Sequence, residues 1–311
     1  QADAKYKGNV KKADEEFYEI LSTLAFLPNT PTLMNAGTPL GQLSACFVLP
    51  VEDDLRSIFH TLENAMLIHQ SGGGTGFFFG KLRPKGDHVK STQGAASGPL
   101  SFLTIYDKAT EVIKQGGKRR GANMGIMPID HPDIEEFINA KRKPGMLENF
   151  NVSVAVTDQF MNAVAKDQEF ELVSPRNKKP AKKIKAKELW NQLIQAAWEC
   201  GDPGIVFIDE INRKQPTPQV GIIESTNPCG EVPLLAYEPC NLGSINLAKM
   251  VKNGKIHWEK LKNTVRAATH FLDNVIDANK WPMPEIEAIA KANRKIGLGV
   301  MGWAECLARC G

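Results

Sequence analysis

Short apolar runs alternate with amphipathic stretches along this chain, and glycine clusters stand where one gives way to the next. No other feature of the sequence constrains the fold as strongly. Apolar positions at helical spacing within residues 13–26 (Phe17, Ile20, Leu21 and Leu24) predict a first helix. A loop rich in Pro, Asn and Gly is expected over 27–43, then a strand over 44–51. Asp53 and Asp54 offer N-caps for a helix with the apolar face Leu55, Ile58, Phe59, Leu62, Met66, which runs into Ser71-Gly72-Gly73-Gly74-Thr75-Gly76. The alternation continues with a strand at 77–79 and a helix at 100–113 that ends at Gln115-Gly116-Gly117. Then come a strand at 124–129, a helix at 132–140 with Pro132 in its first turn, a strand at 152–156 and a helix at 158–165. A helix at 187–199 leads into a strand at 205–208. The Lys-rich stretch 176–187 reads as a solvated loop. Strands regularly separated by helices predict an α/β fold with a largely parallel sheet or barrel.

Composition narrows the class of function. With 311 residues, 42% hydrophobic and 23% charged, the chain has the profile of a soluble globular protein with a sizeable core. No apolar run is long enough to span a bilayer, and the first twenty residues carry no secretion signal. A net charge of +3 gives no argument for a nucleic-acid or membrane partner, so a cytoplasmic protein without either is expected. The chain opens on Gln1 and stops at Gly311 directly after a helical stretch, so both ends read as cuts. The six cysteines (46, 200, 229, 240, 306 and 310) form no CxxC pair, which argues against a zinc ribbon, and no metal site is expected. Asn151-Val152-Ser153 matches a glycosylation sequon, read as a chance match.

Three segments carry chemistry. The run Gly72 to Gly76 lacks dinucleotide-fingerprint spacing and reads first as a helix stop. Gly116-Gly117-Lys118-Arg119-Arg120-Gly121 combines mobile backbone with cations, which suits a polyphosphate or a plain exposed loop. Ser225-Thr226-Asn227-Pro228-Cys229-Gly230-Glu231 is the densest. If that stretch is extended, Asn227, Cys229 and Glu231 point to one side, and an amide, a thiol and a carboxylate converge on a small substrate. A buried cysteine among capping groups is the plainer reading. From the residues alone the chain is a candidate thiol enzyme with a phosphorylated ligand.

Six segments in order resemble the ribonucleotide reductase large chain: Leu27-Pro28-Asn29-Thr30-Pro31-Thr32-Leu33-Met34-Asn35, Ser44-Ala45-Cys46, Ser71 to Gly76, Gly121-Ala122-Asn123-Met124-Gly125, Asn227-Pro228-Cys229-Gly230-Glu231 and Cys240-Asn241-Leu242-Gly243-Ser244-Ile245-Asn246-Leu247. The resemblance implies a ten-stranded α/β barrel of the glycyl-radical type. Residues 1–26 would be a helical segment, and 27–311 the N-terminal part of the barrel, with its C-terminal part missing. It implies that Cys229 becomes the thiyl radical, Glu231 the general base and Asn227 the residue that orients the ribose. Cys46 and Cys240 would be the reducing dithiol. Substrate contacts carry over to Thr30, Ala45, Cys46, Gly74, Asn227 and Glu231, and effector contacts to Asp53, Arg83 and Arg119. The plain readings of Asp53 and Arg83 are a helix N-cap and a surface charge.

The runs Cys46 to Asp53, Gly72 to Gly76 and Pro233 to Glu238 look more like the adenosylcobalamin-dependent branch than the di-metal branch. The implied ligands are a ribonucleoside di- or triphosphate, a deoxynucleotide effector and adenosylcobalamin. The implied partners are a thioredoxin- or glutaredoxin-type reductant and a second copy of the chain. Three other readings stand beside this one: the large subunit of a di-metal reductase, a nucleotide-binding module without radical chemistry, and a thiol hydrolase or transferase. The last wants a histidine partner, and none lies within ten residues of Cys229 in the sequence.

Overall fold

The computed structural model describes residues 8–89, 93–113 and 121–311. They form two compact units, one built from residues up to Ala45 together with Pro239–Gly311, the other from Cys46–Glu238. Arg119 and the basic glycine loop around it lie outside the described residues.

The first unit opens with α1 (Val10–Ser22), capped by the Asn9 side chain, which accepts the Lys12 N–H. The helix ends sooner than its periodicity predicts, because Leu24 turns the chain with a φ of 54° into β1 (Phe26–Pro28). The expected loop that follows holds a short helix, α2 (Thr30–Asn35). Asn29 accepts the Thr32 N–H at 2.9 Å and Pro31 lies in the first turn, so cap and proline together start a helix where composition suggested none.

The second unit is a run of β–α repeats. Strands β2 (Cys46–Leu49) and β3 (Gly74–Phe78) flank α3 (Leu55–Ser71). A small hairpin, β4 (His88–Val89) with β5 (Gly94–Ala95), precedes α4 (Pro99–Val112). Next come β6 (Asn123–Pro128), α5 (Ile134–Ile138), β7 (Phe150–Val156) and α6 (Asp158–Ala165). Pro132 lies ahead of α5 rather than in its first turn, because the Asp133 N–H is held by His131 Nδ1 at 3.0 Å. The lysine-rich stretch expected as a loop forms β9 (Pro180–Lys185), antiparallel to β8 (Glu169–Val173). Lys183 pairs across the strand with Glu171 at 3.3 Å and Lys182 meets Glu135, so this part of the charge run is a strand face. Helix α7 (Ala186–Cys200), β10 (Gly204–Phe207) and α8 (Ile208–Lys214) follow, and β11 (Ser225–Thr226) pairs antiparallel with β12 (Pro233–Leu234).

Strands β2, β3, β6, β7 and β10 pair in parallel in that order. This is the α/β architecture expected, and five parallel strands are part of an incomplete barrel. Pleating gives β3 two faces. Thr75 and Phe77 point toward the helices, where Phe77 packs edge-on to Tyr106 at 5.1 Å and Tyr106 donates to the Ile58 carbonyl at 2.6 Å. Gly74 and Gly76 point the other way.

The first unit resumes with β13 (Pro239–Asn246), antiparallel to β1 and parallel to β16 (Ile296–Met301). A small hairpin of β14 (Val251–Lys252) and β15 (Lys255–Ile256) leads into α9 (Trp258–Ala278); α10 (Pro284–Asn293) and α11 (Trp303–Cys310) complete it. Phe271 of α9 packs edge-on against Phe17 at 5.2 Å and Phe26 at 5.6 Å. His270 meets Glu16 at 3.1 Å, which ties α1 to α9.

Where the second face of β3 carries Gly74 and Gly76 it is covered by the loop after β11; Phe78, farther along the same face, packs against the cluster of Met124, Ile126, Ala155 and Val206. A methyl built on Gly76 would lie 1.7 Å from the Thr226 carbonyl oxygen, and one on Gly74 2.7 Å from Pro228 Cγ. Gly76→Ala is therefore expected to cost about 3 kcal/mol of stability in denaturant unfolding of the full-length protein. A loss below about 0.5 kcal/mol would mean that the loop does not press on β3.

Candidate functional site

Extension ends at Thr226 in the segment that carries Cys229. The chain then closes a tight loop: the Asn227 N–H donates to the Val232 carbonyl at 3.2 Å, and the Gly230 N–H to the Asn227 carbonyl at 3.0 Å. Asn227 Oδ1 accepts the Val232 N–H at 3.0 Å. Gly230 has a φ of +85°, which a side chain would oppose. The turn overturns the expectation that Asn227, Cys229 and Glu231 share one side. Asn227 is 1% exposed, whereas Cys229 and Glu231 are exposed.

The buried Asn227 amide donates to Cys46 Sγ at 3.2 Å, so two of the cysteine-bearing motifs meet across 181 residues. Gly74 sits under Pro228, and Asn151 Nδ2 donates to the Pro228 carbonyl at 2.7 Å. The root of the loop is held by Lys81, which bridges Glu224 at 3.0 Å and Glu52 at 2.9 Å. A thiol at the tip of a loop fastened on both sides is presented to whatever lies above it at small entropic cost. Among the described residues, no group of three or more His, Cys, Asp or Glu side chains is placed to hold a metal ion.

The remaining predicted residues fall into two groups. Thr30, Ala45 and Cys240 belong to the first unit, where Thr30 opens α2 and the Ala45 N–H donates to the Cys240 carbonyl at 3.2 Å. In the second unit Asp53 is not a helix cap; Asp54 caps α3 by accepting the Ser57 N–H at 3.1 Å. Asp53 instead takes the Arg83 guanidinium, Nε to Oδ2 at 2.8 Å, and the Arg83 backbone N–H at 3.2 Å. Neither plain reading of that pair holds. Asp53 also lines a pocket of about 580 Å³ with Lys81, Asp130, Arg176 and Lys178.

Matches to known families cover almost all of this chain. Residues 44–311 match the family described as "Ribonucleotide reductase, barrel domain", and residues 2–41 the one described as "Ribonucleotide reductase, all-alpha domain". The chain belongs to the ribonucleotide reductase family. It is 61% identical over 293 residues to a reductase of Thermoplasma acidophilum named "Vitamin B12-dependent ribonucleoside-diphosphate reductase", covering 94% of this chain and 38% of that protein. A reductase of the same name from Mycobacterium tuberculosis is 53% identical over 305 residues, covering 98% of this chain and 44% of that protein. The "Ribonucleoside-diphosphate reductase subunit alpha" of Chlamydia pneumoniae is 32% identical over 326 residues, covering 94% and 31%. The chain thus spans less than half the length of these ribonucleotide reductases.

His69 is a feature of this chain that sequence reading missed. It is 0% exposed at the end of α3, and its Nε2 lies 2.8 Å from Thr75 Oγ1. The Thr75 hydroxyl donates to Asn123 Oδ1 at 2.8 Å, so its single proton is used and His69 Nε2 must be the donor to Thr75. Asn123 Nδ2 in turn donates to Thr110 Oγ1 at 2.9 Å. A methyl on Gly121 would come within 2.9 Å of His69 Nδ1. Burial pushes the His69 pKa down to about 4, and the ring stays neutral at neutral pH. The one available signal was a histidine one turn ahead of a glycine run.

That shift has a definite sign. The unfolded imidazole takes up a proton below its ordinary pKa of 6.5, while the folded one resists protonation until about 4. Stability is therefore unaffected above pH 6.5 and falls as pH drops from 6.5 to 4, by about 3 kcal/mol in all. His69→Gln, which keeps a donor toward Thr75, is expected to lack this component when unfolding free energy is followed from pH 7 to 4. An identical pH slope in the variant would remove the assignment.

Proposed function

We propose that the full-length protein reduces ribonucleotides to 2′-deoxyribonucleotides for DNA synthesis, with adenosylcobalamin as its radical source. The observation that carries this is the loop Asn227 to Glu231, whose exposed thiol stands beside the buried Asn227–Cys46 contact. The greater identity to the vitamin B12-dependent reductases than to the chlamydial alpha subunit supports the choice of branch.

When bound, adenosylcobalamin supplies the radical that removes a hydrogen atom from the Cys229 thiol. An exposed thiol on a fastened turn fits that role. The Cys229 thiyl then takes the 3′ hydrogen atom of the ribose; S–H and activated C–H bonds are of similar strength, so the step reverses. Glu231 accepts the 3′-hydroxyl proton. The 2′-hydroxyl leaves as water with a proton from the Cys46/Cys240 dithiol, which gives up two electrons and becomes a disulfide. Cys229 returns its hydrogen atom to the 3′ carbon. The sum is one ribonucleotide and one dithiol converted to one deoxyribonucleotide, one disulfide and water. An external thioredoxin- or glutaredoxin-type dithiol resets the pair.

Thr30, Ala45, Cys46, Gly74, Asn227 and Glu231 contact the substrate in this reading, as a di- or triphosphate. Asp53, Arg83 and Arg119 take the deoxynucleotide effector, and the polar pocket beside Asp53 supports a phosphorylated ligand there. The functional unit is a homodimer, supported by the apolar side chains that α3 and α4 leave in solvent: Leu55 at 60%, Phe59 at 47% and Val112 at 79% exposure. No helix among the described residues is long and apolar enough to cross a membrane, and the cytoplasm is the proposed location.

The test is reduction of labelled CDP and CTP by the full-length protein with dithiothreitol, with and without adenosylcobalamin and without a second subunit. Deoxynucleotide is expected only with the cobalamin. Product that appears only with a di-metal partner subunit would move the protein to the other branch. Cys229→Ser is expected to abolish turnover and leave nucleotide binding intact; normal turnover in that variant would end the thiyl mechanism. Loss of Cys46 or Cys240 is expected to stop multiple turnovers supported by dithiothreitol, and sustained turnover in both variants would remove the dithiol assignment.

A further inference from the structure

Asn151 has no part in the mechanism above, and its only sequence motif is a sequon read as chance. The structure gives it a specific contact. It lies in β7, paired with Met124 of β6, and its side-chain Nδ2 donates to the carbonyl of Pro228 at 2.7 Å. Only the amide nitrogen can make that bond, since a flipped amide would set two acceptors face to face. The Pro228 carbonyl belongs to the peptide that links Pro228 to Cys229, so its orientation sets where the Cys229 Cα begins. Three other contacts act on the neighbours of Cys229 in this turn. Pro228 rests its ring on Gly74, the Gly230 N–H closes onto Asn227, and Asn227 is spent on Val232 and Cys46. A proline has no N–H, so the carbonyl is the one backbone polar group through which residue 228 can be held.

We infer that Asn151 is a positioning residue for the radical chemistry: its amide fixes the Pro228–Cys229 peptide and so aims the Cys229 thiol. The inference rests on the reductase reading of Cys229. Asn151 also borders a pocket of about 150 Å³ at the start of β6 and β7, with Ala122, Asn123, Glu148 and Asn149. The residue that holds the thiol-bearing turn thus also borders open space. Hydrogen-atom transfer is steeply sensitive to position, and a displacement of about 1 Å at a reacting atom costs up to about 100-fold.

The test uses the full-length protein and two readouts. Carbamidomethylation of Cys229 by iodoacetamide, followed by peptide mass spectrometry, requires neither cofactor nor turnover; exposed Cys200 is the internal control. Asn151→Ala is expected to raise the Cys229 rate at least about threefold and leave Cys200 unchanged. In the ribonucleotide reduction assay its kcat should fall about tenfold or more, with KM and thermal midpoint close to wild type. Asn151→Asp removes the donor while keeping the shape, and should match the alanine variant at pH 8. As pH falls its kcat relative to wild type should recover, because a protonated carboxyl donates again; Glu148 in the same pocket favours that proton. An unchanged Cys229 rate in Asn151→Ala overturns the inference, as does an unchanged kcat. So does a fall in kcat matched by equal losses in nucleotide affinity and thermal midpoint. A wild-type protein that reduces no ribonucleotide under any radical source sinks the underlying reading instead.

Discussion

The approach of one backbone segment to another, with no side chain between them, is the constraint on which the second unit depends. Thr226 and Pro228 lie so close over Gly76 and Gly74 that one added methyl on either glycine meets the loop. The alternation of β3 makes this possible. Gly74 and Gly76, pointing one way, have no side chains and so admit the loop, while Thr75 and Phe77, pointing the other way, carry the packing and hydrogen bonding that hold the strand to its helices. With glycine at two of the three positions on that face, β3 buries little apolar surface under the loop. The aromatic cluster of Phe77, Phe79, Tyr106 and Phe150 compensates on the opposite face, with each ring pair worth about 0.5–1.5 kcal/mol beyond its buried area.

The same strand joins two polar systems of different character. Beneath it, His69, Thr75, Asn123 and Thr110 form a buried chain in which the Thr75 proton is committed to Asn123, so the histidine tautomer is settled. Above it, the Asn227 amide and the Lys81 bridge hold the loop by its neck and root. Buried polar groups of the first kind rigidify because an unmade bond is costly in a low dielectric. The second kind leaves the tip of the loop in solvent, and the tip carries Cys229.

Legibility from sequence followed the range of the interactions. Helices α6 and α7 and the strands beside them sat where periodicity put them, because burial of one face is written locally. Helix α2 was hidden in a loop-like composition, although its Asn29 cap and Pro31 are local signals. The strand β9 was misread because lysines on an exposed edge look the same as lysines in a loop until the partner strand is known. Asp53 was given a capping alternative that belongs to Asp54 one residue on. His69 and Asn151 escaped altogether, since their partners, Thr75 with Asn123 and Pro228, are brought to them only by strand register.

By itself the sequence determined the α/β class and the membership of the ribonucleotide reductase family, and it singled out the loop 227–231 as a candidate for the chemistry. Each of these rests on local periodicity or on motifs in a set order. Only the tertiary structure decided which way that loop's side chains face. A pleated reading puts Asn227, Cys229 and Glu231 on one side, but the 227–232 closure and the left-handed Gly230 break the pleat. Asn227 turns inward to Cys46, and Cys229 and Glu231 are left in the open. The physical reason is that a turn's geometry is settled by bonds to distant strands, here Cys46 of β2 and Asn151 of β7, and such bonds have no trace in the spacing of neighbouring residues.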